Sequence, residues 1–336
     1  METKKEQPCC EKFKTMIGGQ ALIEGIMMRG PDKDAIVVRG KDGIKTEVTP
    51  RKKIPEHSPL RWPLIRGAVN FFDAQVTGVK ALMKSADFSG DEEYESEPSK
   101  LDLWLEKKLG NEKFQKFLLG LSVTLGLGFS IVLFFLLPML ISSLFDGIID
   151  NLLLLNLLEG VVRILVFLGY MVLVSRMKEM KRVFSYHGAE HKTIRCYEAA
   201  LPLAVENVRI QTRKHPRCGT SFLLIIMVLS ILIFSVASSA LLAAVPALES
   251  MRETANMGYR LIMIVFKLLL LPLVVSVTYE INRVVGRHDN AFTRVLTAPG
   301  MWLQNFTTFE PDDSMIEVAI ESLKAVLPEE EGSDQW

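Results

Sequence analysis

The stretch that decides the fold runs from Phe222 to Leu248 and reads FLLIIMVLSILIFSVASSALLAAVPAL, without one charged side chain. A helix needs about 20 mostly apolar residues to cross the hydrocarbon core of a bilayer, so this stretch predicts a membrane-spanning helix. Three further stretches are expected to span the membrane as well: Phe117–Phe145, which is also free of charge, Leu152–Ser175, apolar except for Glu159 and Arg163, and Leu261–Thr278, which carries only Lys267. The predicted fold class is mainly α, a polytopic membrane helical bundle of four transmembrane helices in contact with the lipid bilayer.

Basic residues collect in the segments on one side of these four spans. The segment from Arg176 to Arg217 holds ten Lys and Arg against four Asp and Glu, whereas residues 146–151 hold no base at all. Loops rich in Lys and Arg stay on the cytoplasmic side of a membrane. Both termini and the basic loop at 176–221 are therefore predicted to be cytoplasmic, and the two short loops between spans are predicted to lie outside.

Residues 1–86 are predicted to form a small N-terminal α+β part in the cytoplasm. Ala35–Arg39 and Ile44–Val48 flank a Gly-Lys-Asp-Gly turn and predict a β-hairpin, and the Gly-rich segment before them adds a strand or a tight loop. From Pro63 to Lys84 apolar residues recur at helical spacing. This helix is either an interfacial amphipathic helix or a helix that packs against the hairpin.

Two acidic segments flank the predicted transmembrane domain, which covers residues 101–308. Residues 87–100 contain six acids, three serines and a proline, a composition that predicts a disordered linker. The tail at 309–336 carries apolar residues on one face between Asp313 and Leu327. It predicts a short amphipathic helix, with Asp312, Asp313 or Ser314 as the N-cap.

The composition argues against a nucleic-acid partner and against a disulfide framework. Lys and Arg together number 39, as do Asp and Glu, so the net charge is zero, and no basic stretch is interleaved with aromatic residues. Cysteines are few and irregularly placed, and reduced thiols in the cytosol suit them better: Cys9, Cys10, Cys196 and Cys218.

The main chemical signal is the string His187-Gly-Ala-Glu190-His191 in the basic loop. Residues four apart share one face of a helix, so both imidazoles can reach one zinc ion and Glu190 can act as the general base. The string matches His-x-x-Glu-His, the inverted form of the zinc-protease signature. It is short, and Gly188 weakens the helix that would present it.

Three further residues are candidate metal ligands on the same side of the membrane. His215 and Cys218 lie just before the third span, and Glu280 lies just past the fourth. Together with His187 and His191 they make a predicted set from which zinc would take three or four, leaving one position to water. The alternative is a polar cluster without metal, in which the histidines form hydrogen bonds and Cys218 is a small buried hydrophobe.

Charged residues inside the spans form a second feature. Glu159 and Lys267 both lie roughly 10–12 Å from the outer ends of their spans at 1.5 Å per residue, so they are predicted to pair across the bundle. Glu159 and Arg163 also form an i,i+4 pair in the favoured order. These charges either mark a functional site within the membrane or form a buried ion pair that fixes helix packing.

Four longer strings carry a resemblance: GGQALIEGIMMRGP at 18–31, YHGAEHK at 186–192, HPRCGTSF at 215–222 and PGMWLQNFTT at 299–308. Together they resemble the YqhQ-like family of bacterial membrane proteins, over nearly the whole chain from about Ile17 to Leu327. That family is of unknown function and is described as predicted metal-dependent enzymes. The resemblance implies a multi-pass protein of the bacterial inner membrane and directs attention to the histidine string. A peptidase is disfavoured, because the second glutamate motif of zinc proteases is absent from the sequence.

The leading functional hypothesis is a metal-dependent integral-membrane enzyme, a zinc hydrolase acting at the cytoplasmic membrane face. One alternative is a non-enzymatic scaffold or assembly factor for other membrane proteins. Another is a small transporter that uses Glu159 and Lys267. Glu24 and Arg29, in the Gly-rich N-terminal segment, either close over the site or form salt bridges within the hairpin.

Overall fold

The computed structural model describes residues 12–51, 54–55, 57–90, 111–145, 147–149, 151–254, 257–288, 290–330 and 332–335. The chain forms two compact units, which are described separately. The first unit comprises 1–90, 171–226 and 272–336, and the second comprises 91–170 and 227–271.

A four-stranded antiparallel sheet lies in the first unit. Its strands follow the chain order β1-β2-β3-β4: Gly18–Leu22, Gly25–Arg29, Lys33–Gly40 and Gly43–Pro50. Two-residue turns close both outer hairpins, since Leu22 pairs with Gly25 and Gly40 pairs with Gly43. The predicted hairpin is thus confirmed as β3 and β4, and the Gly-rich segment before it forms a second hairpin.

The first unit also contains helices, named here in chain order. They are α1 (Ile65–Ser89), α5 (Lys178–Glu198), α6 (Val205–Arg209), α10 (Ala291–Thr307) and α11 (Asp313–Val326), together with a 3-10 turn at Pro59–Arg61. The basic loop predicted at 176–221 is therefore largely helical. The first residues of the segment predicted as a disordered linker, 87–89, are instead helical, because α1 continues to Ser89 and ends at Gly90, whose φ of 61° suits a glycine cap. Residues 91–100 of that predicted linker lie outside the described residues.

Helix α11 supplies much of the core of the first unit, although its sequence resembles a surface tail. Its apolar face packs with β2, β3 and α5 in one cluster that includes Met28, Val37, Tyr186, Met315 and Leu323. The Asp312 side chain accepts a hydrogen bond of 2.9 Å from the Met315 backbone N–H, so Asp312 is the N-cap. The C-terminal segment and the N-terminal sheet thus belong to one folded core.

Helix α1 contacts the sheet through small residues and turns its large apolar residues outward. Gly78, Ala81 and Ser85 are buried. Phe72 and Val76, by contrast, are each 56% exposed. The packing of this helix against the sheet is therefore observed, whereas the interfacial position of its apolar face stays a prediction.

Within the described part of the chain, four helices are long and apolar enough to cross a membrane, as predicted. The spans are Gly120–Ser143, Leu152–Val174, Phe222–Ala244 and Met257–Arg287. The first is built from α2 (Asn111–Ile131), a π-helical turn (Val132–Leu136) and α3 (Leu137–Ser143); the others are α4 (Leu152–Val174), α7 (Gly219–Ala244) and α9 (Met257–Arg287). The third span ends before the predicted Leu248. Pro246 lacks a backbone N–H and begins a separate short helix, α8 (Pro246–Glu253).

In the second unit, the predicted pair between Glu159 and Lys267 is confirmed. The Lys267 Nζ lies 2.6 and 2.7 Å from the two Glu159 carboxylate oxygens, and the Arg163 Nη2 lies 2.5 Å from Oε1. The Arg163 Nε also donates to the Phe134 carbonyl oxygen at 2.9 Å. Phe134 lies in the π-helical turn, where the irregular backbone leaves a carbonyl available to a side chain.

Glycine 188 is required where the C-terminal segment crosses α5. A Cβ atom at this position would overlap the Phe309 carbonyl oxygen, and the Phe309 N–H donates to the Phe184 carbonyl oxygen at 2.9 Å. The residue that weakens this helix by propensity is thus the one that permits the close backbone approach.

We expect Gly188→Ala to lower stability, because the added methyl group forces the Phe309 segment away from α5 and such overpacking costs about 1–3 kcal/mol. Gly219→Ala is the matched control, since its Cβ would have no atom within 4 Å. The measurement is the thermal unfolding midpoint of each detergent-purified variant. Equal midpoints for both variants and the wild type would contradict the contact.

Candidate metal centre

Helix α5 presents His187 and His191 toward the same point, and backbone carbonyls fix both rings. The His187 Nδ1 lies 2.7 Å from the Thr307 carbonyl oxygen, and the His191 Nδ1 lies 2.6 Å from the Arg213 carbonyl oxygen. A carbonyl oxygen can only accept, so each Nδ1 carries the hydrogen and donates it. Each ring therefore has its Nε2 left to bind an ion, the arrangement that orients metal-binding histidines.

The Cys218 sulfur completes a group of three potential ligands. Its Sγ lies 3.2 Å from the His187 Nε2, and the ligand atoms of His187, His191 and Cys218 all lie within 4.8 Å of one another. The Thr220 hydroxyl lies 3.4 Å from the same sulfur. The histidine rings also contact each other, with centroids 4.4 Å apart.

Two buried polar atoms of this group have no hydrogen-bond partner among the described residues: the His191 Nε2 and the Glu190 Oε2. The other Glu190 oxygen accepts a hydrogen bond of 3.0 Å from the Gly19 backbone N–H in β1. A buried polar atom without a partner is costly, so an unpaired nitrogen and an unpaired carboxylate oxygen at one point indicate room for a further group.

The three ligands fit zinc by their chemistry and by their spacing. Zinc binds imidazole nitrogen and thiolate sulfur at about 2.0–2.3 Å, which places tetrahedral ligand atoms roughly 3.3–3.8 Å apart. The 3.2 Å between the His187 Nε2 and the Cys218 Sγ is close to this spacing, and all three ligand atoms lie within 4.8 Å of one another. Two histidines and one cysteine also match the number of protein ligands in catalytic zinc sites.

The charges of the group favour a thiolate. Burial raises the pKa of the Cys218 thiol, but His191 and His187 outweigh it and bring this pKa well below its usual value. Burial lowers the pKa of His187, but the Cys218 sulfur and Glu190 raise it to about 9. Burial raises the pKa of Glu190. The thiolate is the form of cysteine that binds metals.

His215, a predicted ligand, lies beside this group rather than within it. Its ring centroid is 5.6 Å from that of His191, but its Nε2 faces Glu198 at 3.2 Å. Gln304 holds the His215 backbone on both sides. The His215 N–H donates to the Gln304 Oε1 at 2.8 Å, and the Gln304 Nε2 donates to the His215 carbonyl oxygen at 2.7 Å. Burial and the nearby Arg217 lower the pKa of His215.

Glu280, the fifth predicted ligand, is engaged elsewhere. Arg66 on α1 binds both of its carboxylate oxygens, with distances of 2.7 Å from Nε and 2.5 Å from Nη2. This bidentate pair uses the lone pairs that a metal would need. Glu280 is therefore placed with Arg66 and not with His187, His191 and Cys218, and its predicted role as a ligand stays a prediction.

A cavity of about 750 Å³ opens next to the candidate ligands. Its wall combines the ligands with β1 and with apolar residues from several helices, including Met171, Phe184 and Leu223. More of the exposed wall is apolar than polar. A molecule that enters this cavity therefore meets an apolar surface with a cluster of polar atoms at one point, as in ligand-binding pockets.

Comparisons with known proteins agree with the resemblance. A family model described as a protein of unknown function, DUF1385, matches residues 62–329. The chain belongs to this DUF1385 family. It is also 33% identical over 329 residues, 96% of both chains, to the "Uncharacterized protein YqhQ" of Bacillus subtilis (strain 168). No solved structure matches the chain.

One residue of this DUF1385 protein that supports the site was not predicted from the sequence. Glu198 is fully buried and accepts hydrogen bonds from the Arg217 Nη2 at 2.5 Å and the Thr15 N–H at 3.0 Å, beside His215. It lies seven residues, about two helical turns, after His191 and therefore on the same face of α5. This spacing is the sequence pattern that would have pointed to Glu198. Glu198 ties the loop that carries Cys218 to α5.

The two hairpin residues with alternative predicted roles form ion pairs. Arg29 pairs with Asp34, its register partner in β3, and with Asp73 on α1 at 2.8 Å. Glu24 pairs with Arg182 and accepts from the Tyr186 hydroxyl at 3.2 Å. The salt-bridged hairpin is thus confirmed for Arg29, whereas Glu24 fastens the hairpin to α5.

We expect Glu198→Ala to destabilise the protein by about 3–5 kcal/mol, because Arg217 is then buried without its carboxylate. Glu206→Gln, at an exposed position on α6, is the control and should leave stability unchanged within about 0.5 kcal/mol. Thermal unfolding of the purified variants measures both. A midpoint for Glu198→Ala equal to that of the control would show that Glu198 does not hold this loop.

Proposed function

We propose that this protein is a zinc-dependent membrane hydrolase, with His187, His191 and Cys218 as the ligands. The observation that carries this proposal is the convergence of two Nε2 atoms, each set by an Nδ1 hydrogen bond to a backbone carbonyl, on one cysteine sulfur. Structural zinc sites use four protein ligands, whereas catalytic sites use three and keep a position open. A three-ligand site beside a large cavity therefore favours catalysis.

Glu190 is the proposed general base. Its Oε1 is held by the Gly19 N–H, and its Oε2 is buried without a partner among the described residues, so this oxygen can accept a proton from a water molecule at the site. A zinc ion at this point supplies Lewis-acid chemistry, polarising a carbonyl or phosphoryl group and making water more acidic. The chain then supplies the fixed base, the ligand geometry and the apolar wall that limits bulk water.

The site is proposed to work at the cytoplasmic face of the bacterial cell membrane. The loop charges assign α5 and the loop at 212–218 to that side. Met171 and Leu223, near the ends of two membrane-spanning helices, contribute to the cavity wall. Substrates with an apolar part suit such a wall, and lipids or membrane-bound peptides are the classes to test first.

We expect protein purified without metal-affinity resin to contain close to one zinc per chain. His191→Ala should lose most of that zinc, because it removes the buried nitrogen that has no other partner. His288→Ala is the matched control, since its Nδ1 bonds only its own helix at the Val284 carbonyl oxygen. Elemental analysis measures the zinc, and a folded wild-type protein without metal under these conditions would rule out the proposal.

We expect Glu190→Gln to retain zinc and to lose hydrolysis by about 10²–10⁴-fold, because glutamine cannot accept the proton. Panels of fluorogenic esters, phosphate esters and peptides in detergent provide the measurement. Glu280→Gln is the control, because Glu280 pairs with Arg66 and should leave both zinc content and turnover near wild type. Equal turnover for Glu190→Gln and wild type would exclude Glu190 as the base.

A non-enzymatic scaffold for other membrane proteins is the second candidate. The exposed apolar residues of α1, such as Phe72 and Val76, favour it, because a partner could cover them. The zinc measurement separates the two proposals, since a scaffold has no need of an ion at His191. A small transporter, the third candidate, would rest on Glu159, whose carboxylate is already neutralised by Lys267 and Arg163.

A further inference from the structure

The second unit contains a cluster of charges in which cations outnumber the carboxylate. Glu159, Lys267 and Arg163 are each less than one-tenth exposed, and the two cations share the one carboxylate. The Arg163 guanidinium has additional partners, the Phe134 carbonyl oxygen and the faces of the Phe135 and Phe234 rings. Lys267 has three N–H donors and, among the described residues, its Nζ contacts the two Glu159 oxygens alone, so one donor has no partner there.

A small cavity lies against Lys267 and is lined mainly by hydrogen-bond donors. Its volume is about 60 Å³, several times the 10–15 Å³ or so that one ordered water needs. Lys267, Arg252 and Arg260 line this cationic cavity, and the one carboxylate in its wall is Glu159, as far as the described residues show. The polar residues Asn156, Ser142 and Ser143 also line it.

Two of these donor residues, Arg260 and Asn156, form no hydrogen bond to a carboxylate among the described residues. The Arg260 Nη2 donates to the Ser143 hydroxyl at 3.1 Å, and no carboxylate among the described side chains pairs with it. The Asn156 Nδ2 is buried and has no hydrogen-bond partner there. Arg252 is compensated, because both its Nε and its Nη2 contact Glu249. The wall therefore offers an amide, a guanidinium and an ammonium donor with an excess of positive charge.

We propose that this cationic cavity binds an anionic phosphate group, held by Arg260, Asn156 and Lys267. A buried excess of positive charge is unfavourable, and an oxyanion offsets it while accepting the unused donors. Guanidinium groups bind phosphate oxygens by charge-assisted hydrogen bonds in a planar fork. The phosphate can belong to a phospholipid headgroup or to free inorganic phosphate.

The neighbouring surface would accommodate the lipid form of this ligand. Leu153 and Leu154 on α4 and Leu261 on α9 are each at least half exposed, on the two helices that also carry Glu159 and Lys267. The charges of the connecting loops assign this end of the helices to the outer side of the membrane. A headgroup in the cavity would leave its acyl chains beside these leucines.

The test uses the full-length protein in dodecyl maltoside and two probes. Native mass spectrometry counts bound dioctanoyl-phosphatidylglycerol, with dioctanoylglycerol as the phosphate-free counterpart. Thermal unfolding is followed in rising inorganic phosphate at constant ionic strength. Saturable binding of the phospholipid alone assigns the lipid headgroup, and saturable stabilisation by inorganic phosphate assigns the free ion. Either result supports the proposal.

The variants Arg260→Gln and Asn156→Ala should weaken the binding. Loss of one charge-assisted hydrogen bond raises the dissociation constant about tenfold or more for Arg260→Gln, and a smaller rise is expected for Asn156→Ala. Arg176→Gln, at an exposed arginine outside the cavity, should bind like the wild type. An unchanged unfolding midpoint without ligand shows that each variant is folded.

Two outcomes would overturn the proposal. One is equal binding of dioctanoylglycerol and the phospholipid together with no stabilisation by inorganic phosphate. The other is the same dissociation constant for Arg260→Gln, Asn156→Ala and Arg176→Gln. In both cases the excess positive charge would serve helix packing alone.

Discussion

Two hydrogen bonds from imidazole nitrogen to backbone carbonyl oxygen determine what the first unit can do. The His187 Nδ1 donates to Thr307 and the His191 Nδ1 to Arg213, so one helix is tied to two segments that are distant in sequence. An imidazole free to rotate would offer either nitrogen in many directions. Fixing Nδ1 selects one tautomer and one ring orientation for each residue, and both Nε2 atoms then converge with Cys218.

These two hydrogen bonds require close backbone packing around α5, and two glycines allow it. At Gly188 the Phe309 carbonyl oxygen occupies the place of a side chain. At Gly19, on the edge strand β1, a Cβ would approach the Glu190 carboxyl carbon to 2.9 Å and the Met27 carbonyl oxygen to 2.8 Å. The same absence of a side chain lets the Gly19 N–H reach Glu190. Burial of α5 offsets the low helix propensity of Gly188.

The features that the sequence predicts well depend on local patterns. Four spans follow from long, mostly apolar stretches, and the sequence includes His187, His191 and Cys218 among five candidate ligands by spacing and residue type. The pairing of Glu280 with Arg66 could not be predicted, because the two residues are 214 positions apart and no local pattern reveals such a pair. An apolar helical face has the same sequence whether water, lipid or protein covers it. For this reason the sequence predicts the amphipathic helix α11 but not that its apolar face lies in the protein core.

The two polar clusters differ in the kind of atom that they leave unpaired, and this difference constrains what each can bind. In the first unit, the unpaired atoms beside Cys218 include the His191 Nε2 and the Glu190 Oε2, which hold lone pairs next to a cysteine whose pKa is lowered. Such a cluster favours a cation. In the second unit, the atom without a partner in the wall of the cationic cavity is the Asn156 Nδ2, a donor, beside Lys267 and an Arg260 that pairs with no described carboxylate. Such a cluster favours an anion, because a negatively charged ligand accepts hydrogen bonds from the unpaired donors and offsets the positive charge.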